Sequence, residues 1–231
     1  AAIMIRYEKL LLAQRSDFCL VVGDVNSTMA CAITAQKLCI PVGHVEAGIR
    51  SGDCSMPEEI NRMVTDAISD YFFTTSEAAN QNLRRSGIED ERIFFVGNTM
   101  IDTLMANADR LRPPAFWEEL GLASGSYFVV TLHRPSNVDC KDRFIRLITS
   151  ITKGARGHVV VFPAHPRGAK TLPVSEELPS NLKVVDPQPY LEFNYMVKNA
   201  KAVITDSGGI TEETTVMGVP CLTLRDSTER P

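Results

Sequence analysis

Short apolar runs recur along the chain, and most of the segments between them carry a helical spacing of apolar residues. The runs are Phe18–Val22, Val42–Glu46, Tyr71–Thr74, Ile93–Val96, Phe128–Leu132, Val159–Phe162, Leu182–Val185, Ala202–Ile204 and Cys221–Leu224. Apolar runs of this length between turn residues indicate buried strands. Strands that alternate with helices favour parallel sheets with helices on both faces, so the pattern predicts an α/β fold.

One segment interrupts the alternation, at residues 106–126. It contains the pair Pro113-Pro114 and ends in Gly and Ser residues, which is typical of a link between domains. A chain of 231 residues is long enough for two domains of about 100 residues each. We therefore predict two Rossmann-like domains, residues 1–113 and residues 114–231.

Polar residues cluster directly after five of the predicted strands. The clusters are Gly23-Asp24, His44 with Glu46, His133-Arg134, His165 with Arg167, and Asp206-Ser207-Gly208-Gly209. The carboxyl ends of strands border the ligand crevice in open α/β sheets. The clusters therefore predict two sheets that face one cleft.

The stretch VITDSGGITEETTVMGVP, residues 203–220, has the order strand, Gly-Gly turn, helix. The two glycines allow a ligand close to the backbone, and the N–H groups at the start of a helix bind anions. Ser207 can add a hydroxyl, and Glu213 can accept hydrogen bonds from a ribose. The stretch has neither the P-loop lysine nor a G-x-G-x-x-G pattern, which disfavours a γ-phosphate and a dinucleotide. The alternative is a capped helix whose acidic residues suit its dipole.

Residues 55–70 have the pattern of an amphipathic helix. Its predicted core face consists of Ile60, Met63, Val64, Ala67 and Ile68. Asn61 and Arg62 fall on the opposite face, where solvent is the usual surrounding. The S-x-x-E spacing that ends at Glu58 predicts a capping box, with Pro57 in the first turn. Glu58 can also face a cleft.

Asp24 and Glu46 are carboxylates at the ends of two neighbouring predicted strands. Together with Glu58 they can form a carboxylate cluster in which one member acts as an acid or a base. The structural alternatives are that Asp24 caps the next helix and that Glu46 pairs with Arg50.

Composition excludes several partners. The formal net charge of −4 gives no footprint for nucleic acid or acidic membranes, and no apolar run approaches the roughly 20 residues of a membrane span. The six cysteines are scattered without C-x-x-C, which predicts reduced thiols in a cytoplasmic protein. The histidines lack metal-ligand spacing, so we expect no metal site.

Seven motifs, in order along the whole chain, resemble those of the non-hydrolysing UDP-N-acetylglucosamine 2-epimerases. They are GHVEAGIRSGD, PEEINRMVTDAISDYFFTTSE, VGNTMIDTL, TLHRPSNVD, DPQPYLEF, TDSGGITEE and RDSTERP. The resemblance implies a GT-B-like pair of Rossmann-like domains in each chain, and two such chains in a homodimer. It also implies reversible conversion of UDP-GlcNAc to UDP-ManNAc, through UDP and 2-acetamidoglucal, without NAD or metal.

The resemblance assigns roles to residues of both predicted domains. The catalytic set is Asp24, Glu46 and Glu58 on the sugar side, with His133 at the departing diphosphate. The set that binds UDP is Gln188, Phe193, Ser207, Gly208, Gly209, Glu213 and Arg230. Further residues that would line the cleft are His44, Arg134, His165 and Arg167.

The opening strand and the closing helix of that family have no counterpart here, so we expect a chain that is truncated at both ends. Three alternatives stay open: a hydrolysing epimerase that releases ManNAc and UDP, a GT-B glycosyltransferase, and an inactive UDP-binding fragment. The HRPSN and HVEAGIRSGD sequences favour the non-hydrolysing epimerase.

Overall fold

The structure is a computed structural model and describes residues 1–164 and 178–225. It contains two compact units that divide between Thr99 and Met100. The domain boundary near residue 113 stays a prediction. Within the described ranges no helix is long and apolar enough to cross a bilayer.

The first unit contains a four-stranded parallel sheet, in which the strands lie side by side in chain order. The strands are β1 (Cys19–Val22), β2 (Val42–Val45), β3 (Tyr71–Thr74) and β4 (Ile93–Phe95). The helices are α1 (Ala2–Ala13), α2 (Asn26–Lys37), α3 (Pro57–Ile68) and α4 (Glu77–Arg85), with a 3-10 turn at Asp90–Arg92. Alternation along β1 buries Cys19 and Val21 in the core with α1 and α2, and exposes Leu20 and Val22 on the opposite face.

The second unit contains a five-stranded parallel sheet in the order β7-β6-β5-β8-β9. The strands are β5 (Tyr127–Thr131), β6 (Val159–Pro163), β7 (Leu182–Val185), β8 (Ala202–Thr205) and β9 (Cys221–Thr223). The helices are α5 (Thr99–Ala106), whose first residue is the last of the first unit, α6 (Pro135–Val138), α7 (Lys141–Gly154), α8 (Tyr190–Asn199) and α9 (Gly208–Met217), with a 3-10 turn at Ala108–Arg110. Val129 and Val130 point to opposite faces and lie in different core clusters, so this sheet is covered on both sides.

The strand order of the second sheet places a topological switch point between β5 and β8. The chain runs from β5 outward through β6 and β7, then returns to the other side of β5 at β8. Thr131 at the end of β5 pairs in register with Thr205 at the end of β8. Ligands of open α/β sheets bind outside the carboxyl ends of such a strand pair.

All nine predicted strands are confirmed, and each strand end lies within one residue of its predicted position. The predicted α/β class with parallel sheets is confirmed as well.

Candidate active site

Helix α3 packs with its polar side inward, which is the reverse of the prediction from its apolar spacing. The buried residues are Glu59, Asn61, Arg62, Thr65 and Asp66, each at most 5% exposed. Ile60 and Met63, which were predicted to lie in the core, are 40% and 38% exposed. The solvated position predicted for Asn61 and Arg62 is therefore wrong. Buried polar groups are stable when they are hydrogen-bonded, and the turns after β1 and β2 supply the partners.

The start of α3 also differs from the prediction. Met56 is the N-cap residue and no side chain caps the helix, so the capping box that ends at Glu58 is wrong. The Ser55 hydroxyl instead donates to Asp53 Oδ1 at 2.6 Å. Pro57 is the first helical residue, as predicted. Glu58 is exposed in the first turn.

Asp24 is held by α3. Arg62 donates to Asp24 Oδ2 from Nε at 2.9 Å and from Nη2 at 2.5 Å, and Asn61 Nδ2 donates to the Asp24 carbonyl oxygen at 2.8 Å. The predicted capping role of Asp24 is wrong, because α2 begins at Asn26 with Val25 as an N-cap that makes no side-chain bond. The Asp24 side chain is 32% exposed, so a ligand can reach its carboxylate.

Glu46 follows β2 directly and has a left-handed backbone, with φ of 67°. This conformation is unfavourable for a residue with a Cβ, and it is concentrated at functional sites. Val22 and Val45 are register partners, so Asp24 and Glu46 leave the sheet at the same edge. Arg50, the predicted partner of Glu46, donates to Asp66 Oδ2 at 2.6 Å.

The loop that carries Glu46 is clamped from two sides. Gly48 N donates to Asp66 Oδ2 at 3.1 Å, and Asn82 Nδ2 donates to the Gly48 carbonyl oxygen at 2.8 Å. Gly48 has φ of 76°, and a Cβ there would lie 2.4 Å from the Ala79 carbonyl oxygen. A glycine is therefore required for the loop to lie against α4.

His44 is fully buried beneath the turn that carries Asp24. Its Nε2 lies 2.9 Å from the Gly23 carbonyl oxygen, and its Nδ1 lies 2.7 Å from Asp66 Oδ1. A carbonyl oxygen only accepts, so Nε2 is the donor to Gly23. His44 was predicted to line the cleft; the structure places it under the Gly23–Asp24 backbone.

In the second unit, His133 and Asp206 follow the two strands of the switch point. His133 Nδ1 lies 2.8 Å from Asp206 Oδ1, and the His133 side chain is 49% exposed while Asp206 is buried. Since Nδ1 donates to the carboxylate, the other ring nitrogen, Nε2, remains for a ligand. This pair is a positioned proton donor or acceptor at the expected ligand edge.

Asp206 organises the turn after β5. It accepts from the backbone N–H of Arg134 at 3.0 Å and from Asn137 Nδ2 at 3.0 Å. Burial acts to raise the pKa of Asp206, but the hydrogen bonds from His133, Asn137 and Arg134 outweigh burial and hold the pKa below its ordinary value. Arg134 Nε donates to the Asp206 carbonyl oxygen at 2.9 Å, which fixes that side chain beside the turn.

Helix α9 presents its N-terminus at the same switch point. Ser207 is the N-cap residue, yet its side chain makes no capping hydrogen bond. The first N–H groups of a ten-residue helix form an anion site, to which the Ser207 hydroxyl can contribute. A Cβ at Gly209 would lie 2.8 Å from the Met100 methyl group, so packing in the second unit also favours glycine there.

Glu213 lies one and a half turns into α9 and is 6% exposed. Burial raises its pKa, against an opposing hydrogen bond that the Tyr190 hydroxyl donates at 3.4 Å. Asn194, on α8, is fully buried beside it, and its Oδ1 has no partner among the described residues. Glu213 is therefore a sheltered carboxyl with capacity for further hydrogen bonds.

Of the two residues predicted to hold the uracil base, Gln188 lies in the loop after β7 and Phe193 lies on α8. Gln188 Nε2 donates to the Asp186 carbonyl oxygen at 2.7 Å, and Phe193 on α8 packs against the core of the second unit. The predicted residues His165, Arg167 and Arg230 lie outside the described residues.

Several site residues escaped the sequence analysis. Glu59 and Asp66 follow the same helical period as the apolar residues of α3, so spacing alone gives no signal for them. Asp206 belongs to one of the predicted polar clusters, but its pairing with His133, 73 residues away in sequence, has no local signal. Within the described ranges, no group of three His, Cys, Asp or Glu residues could hold a metal ion.

Comparison with known proteins gives consistent results. The family model for UDP-N-acetylglucosamine 2-epimerase matches residues 1–231. The UDP-N-acetylglucosamine 2-epimerase of Methanocaldococcus jannaschii is 44% identical over 99% of this chain. A 2-epimerase of Pseudomonas aeruginosa named for UDP-2,3-diacetamido-2,3-dideoxy-D-glucuronate is 39% identical over 98% of this chain.

Solved structures agree. The M. jannaschii UDP-GlcNAc 2-epimerase in complex with UDP-GlcNAc and UDP has a TM-score of 0.87 and 42% identity, covering 99% of this chain and 66% of that one. The Neisseria meningitidis UDP-GlcNAc 2-epimerase bound to UDP-GlcNAc has a TM-score of 0.87 and 30% identity, covering 99% of this chain and 65% of that one. This chain spans 65% of the length of the M. jannaschii relative and 63% of that from P. aeruginosa. The chain belongs to the UDP-N-acetylglucosamine 2-epimerase family.

Proposed function

We propose that this chain carries out the reversible epimerisation of UDP-GlcNAc to UDP-ManNAc at C2. The observation that carries the proposal is the pair of carboxylates that leave the first sheet together. Asp24 is partly exposed and anchored by Arg62, and Glu46 is held on a left-handed backbone in a clamped loop. Inversion at C2 needs acid and base groups fixed near that carbon, and this edge supplies them.

The proposed reaction proceeds by elimination and re-addition. A carboxylate takes the C2 proton, the C1–O bond to the diphosphate breaks, and a C1–C2 double bond forms, giving 2-acetamidoglucal and UDP. Return of UDP to C1 and of a proton to the opposite face of C2 gives the epimer. Asp24, Glu46 and Glu58 are the proposed proton carriers, and no direction of transfer is assigned among them.

The second unit supplies the proposed UDP site. The N-terminus of α9 with Ser207, Gly208 and Gly209 binds the diphosphate, and its dipole stabilises the negative charge that grows as UDP leaves. His133, oriented by Asp206, donates to the leaving oxygen from Nε2.

The nucleoside has its own proposed contacts. Glu213 accepts hydrogen bonds from the ribose hydroxyls, which satisfy a buried carboxyl that has few partners. Gln188 and Phe193 hold the uracil, and Arg230, which is outside the described residues, is the further nucleotide contact that the family resemblance implies.

The experiment is a proton NMR measurement of UDP-GlcNAc in D₂O with the protein. We expect loss of the H2 signal and appearance of UDP-ManNAc. Free ManNAc with UDP would move the assignment to a hydrolysing epimerase. The 39% identity to the P. aeruginosa protein makes the diacetamido-glucuronate nucleotide the second substrate to test. If neither sugar exchanged its C2 proton, the proposed activity would be wrong for this chain.

A further inference from the structure

We propose that Arg62 is a positioning residue, which orients the carboxylate of Asp24 for proton transfer at the sugar. Glu59 in turn fixes Arg62. The inference rests on the proposed function for its chemistry, but the geometry on which it depends can be tested separately.

The first observation is how Arg62 holds Asp24. Two guanidinium nitrogens, Nε and Nη2, donate to the same oxygen, Oδ2. This leaves the orientation of the other oxygen, Oδ1, determined by the ion pair. The Arg62 side chain is 6% exposed and that of Asp24 is 32% exposed, so a buried cation holds a carboxylate that solvent and ligands can reach. A purely structural buried pair would enclose both partners.

The second observation is that Arg62 has no freedom to turn. Its Nη1 donates to Glu59 Oε2 at 3.0 Å. Glu59 is 1% exposed and accepts from the backbone N–H of Ser51 at 2.9 Å and of Gly52 at 3.1 Å. The planar guanidinium thus bridges a carboxylate bound to the backbone and the carboxylate of Asp24. Lysine cannot reproduce this bridge, since its ammonium is a single point of charge.

The third observation is that the backbone of Asp24 is fixed as well. Asn61 donates to the Asp24 carbonyl oxygen, and His44 donates to the Gly23 carbonyl oxygen. Both peptide oxygens of the turn are therefore held by buried side chains, so rotation of the Asp24 side chain is the freedom that remains. Arg62 removes it. A misplacement of about 1 Å in a catalytic group can lower the rate about a hundredfold.

The test compares Arg62→Lys with the parent protein in kcat, KM for UDP-GlcNAc and Kd for UDP. We expect kcat to fall about ten- to a hundredfold, while KM and Kd change by less than about twofold. Arg84→Lys is the matched control, because Arg84 also bridges two carboxylates, Glu77 and Asp90, but at the exposed surface of the same unit. It should keep the parental kcat. An equal loss in Arg84→Lys, or a loss confined to KM, would overturn the proposal.

A double-mutant cycle with Asp24→Asn separates positioning from general damage. If Arg62 acts through Asp24, Arg62→Lys should cause little further loss of kcat in the Asp24→Asn background. A loss as large as in the parent would show that Arg62 acts elsewhere and would overturn the proposal.

The same double-mutant cycle can be measured as free energies of unfolding in urea, which does not require an active enzyme. If the parent proves inactive, the proposed function fails, whereas non-additive unfolding free energies for Asp24→Asn and Arg62→Lys would still support the geometric coupling. Additive values would refute the coupling itself.

Discussion

Two carboxylates of the candidate site, one assigned to the sugar and one to the nucleoside, lie in opposite environments. Asp24 is partly exposed, and the guanidinium of Arg62 lies against one of its carboxylate oxygens. Glu213 is 6% exposed, and the Tyr190 hydroxyl donates to it at 3.4 Å, with the Asn194 side chain as a further partner. The first environment suits a group that must exchange protons with a substrate. The buried environment of Glu213 suits a group that accepts hydrogen bonds from the hydroxyls of a bound nucleoside.

Asp24→Asn should lower turnover with UDP-GlcNAc about 10²–10⁴-fold, the usual contribution of a positioned acid or base. UDP affinity should stay nearly unchanged, because Asp24 is proposed to act on C2 and not on the nucleotide. Turnover is measured by NMR and UDP affinity by calorimetry. Asp90→Asn, at an exposed ion pair of the same unit, is the control. Equal losses of turnover and affinity would point to a structural role.

Glu213→Gln should make the protein more stable at neutral and alkaline pH. Burial raises the pKa of Glu213 above its ordinary value of 4.5, so the folded state binds this proton more tightly than the unfolded state. Between the unfolded and the folded pKa, stability therefore falls as pH rises, and above both the full penalty is present. Glutamine does not ionise, so Glu213→Gln removes the penalty of burying the charged carboxylate. We expect a gain on the order of 2–4 °C in melting temperature at about pH 8.

That gain should shrink as the pH falls through the ordinary value of 4.5, because Glu213 then becomes protonated in the unfolded state as well. UDP affinity should fall in the same variant, since glutamine offers one acceptor oxygen where the carboxylate offers two. The exposed Glu119, changed to Gln, is the control for stability. A gain that did not depend on pH would exclude titration of Glu213 as its cause.

At the scale of the element, the buried polar side of helix α3 should contribute more to the free energy of unfolding than its exposed apolar side. Asp66→Asn removes the negative charge opposite His44 and Arg50, both of which it bonds at 2.7 Å or less. Breaking a buried ion pair typically costs about 3–5 kcal/mol. Ile60→Gln, at an exposed apolar position of the same helix, should change stability by less than about 0.5 kcal/mol. Urea unfolding of both variants measures the difference, and a larger loss for Ile60 would contradict the observed packing.

Prediction from sequence succeeded for the strands and failed for the orientation of α3. The nine strands were predictable because buried parallel strands are continuous apolar runs between turn residues. Polar and apolar positions of α3 share one helical period, and hydropathy alone assigned the wrong set to the core. What decides its orientation is the supply of hydrogen-bonding partners in the turns after β1 and β2, which no local pattern contains.

Site residues divide in the same way. The strand–turn–helix setting of Ser207 and Glu213 was predictable because it is local, while their roles stay predictions. The functional surroundings of Asp24 were not, since Arg62 and Asn61 approach it from 38 and 37 residues away. The pairing of His133 with Asp206 likewise depends on β5 and β8 becoming neighbours.

At the scale of the molecule, the two units should respond differently to nucleotide. The single tryptophan, Trp117, belongs to the second unit and contacts Tyr127 and Tyr195 with ring centroids 5.5 and 5.0 Å apart. Its fluorescence therefore reports on the unit to which we assign the UDP site. UDP at about a hundred times its Kd should stabilise that unit by about 2.7 kcal/mol and raise the fluorescence-detected midpoint by about 5–10 °C.

Glu213→Ala should abolish most of this shift, and Asp24→Asn should leave it intact. The two variants serve as each other's controls, because one changes the proposed nucleotide site and the other the proposed sugar site. A shift lost in Asp24→Asn would mean that UDP binding depends on the first unit.

The network of buried polar side chains on α3 also limits which substitutions the protein can accept during evolution. Glu59, Arg62 and Asp66 each balance a charge or a backbone group that has been removed from water. Replacing any one of them alone by a residue that lacks its charge leaves a partner uncompensated and costs about 3–5 kcal/mol, a large part of the stability of a domain. Lineages that alter this network should therefore alter several of its positions together, so these sites should covary, while the exposed apolar side of the same helix drifts independently.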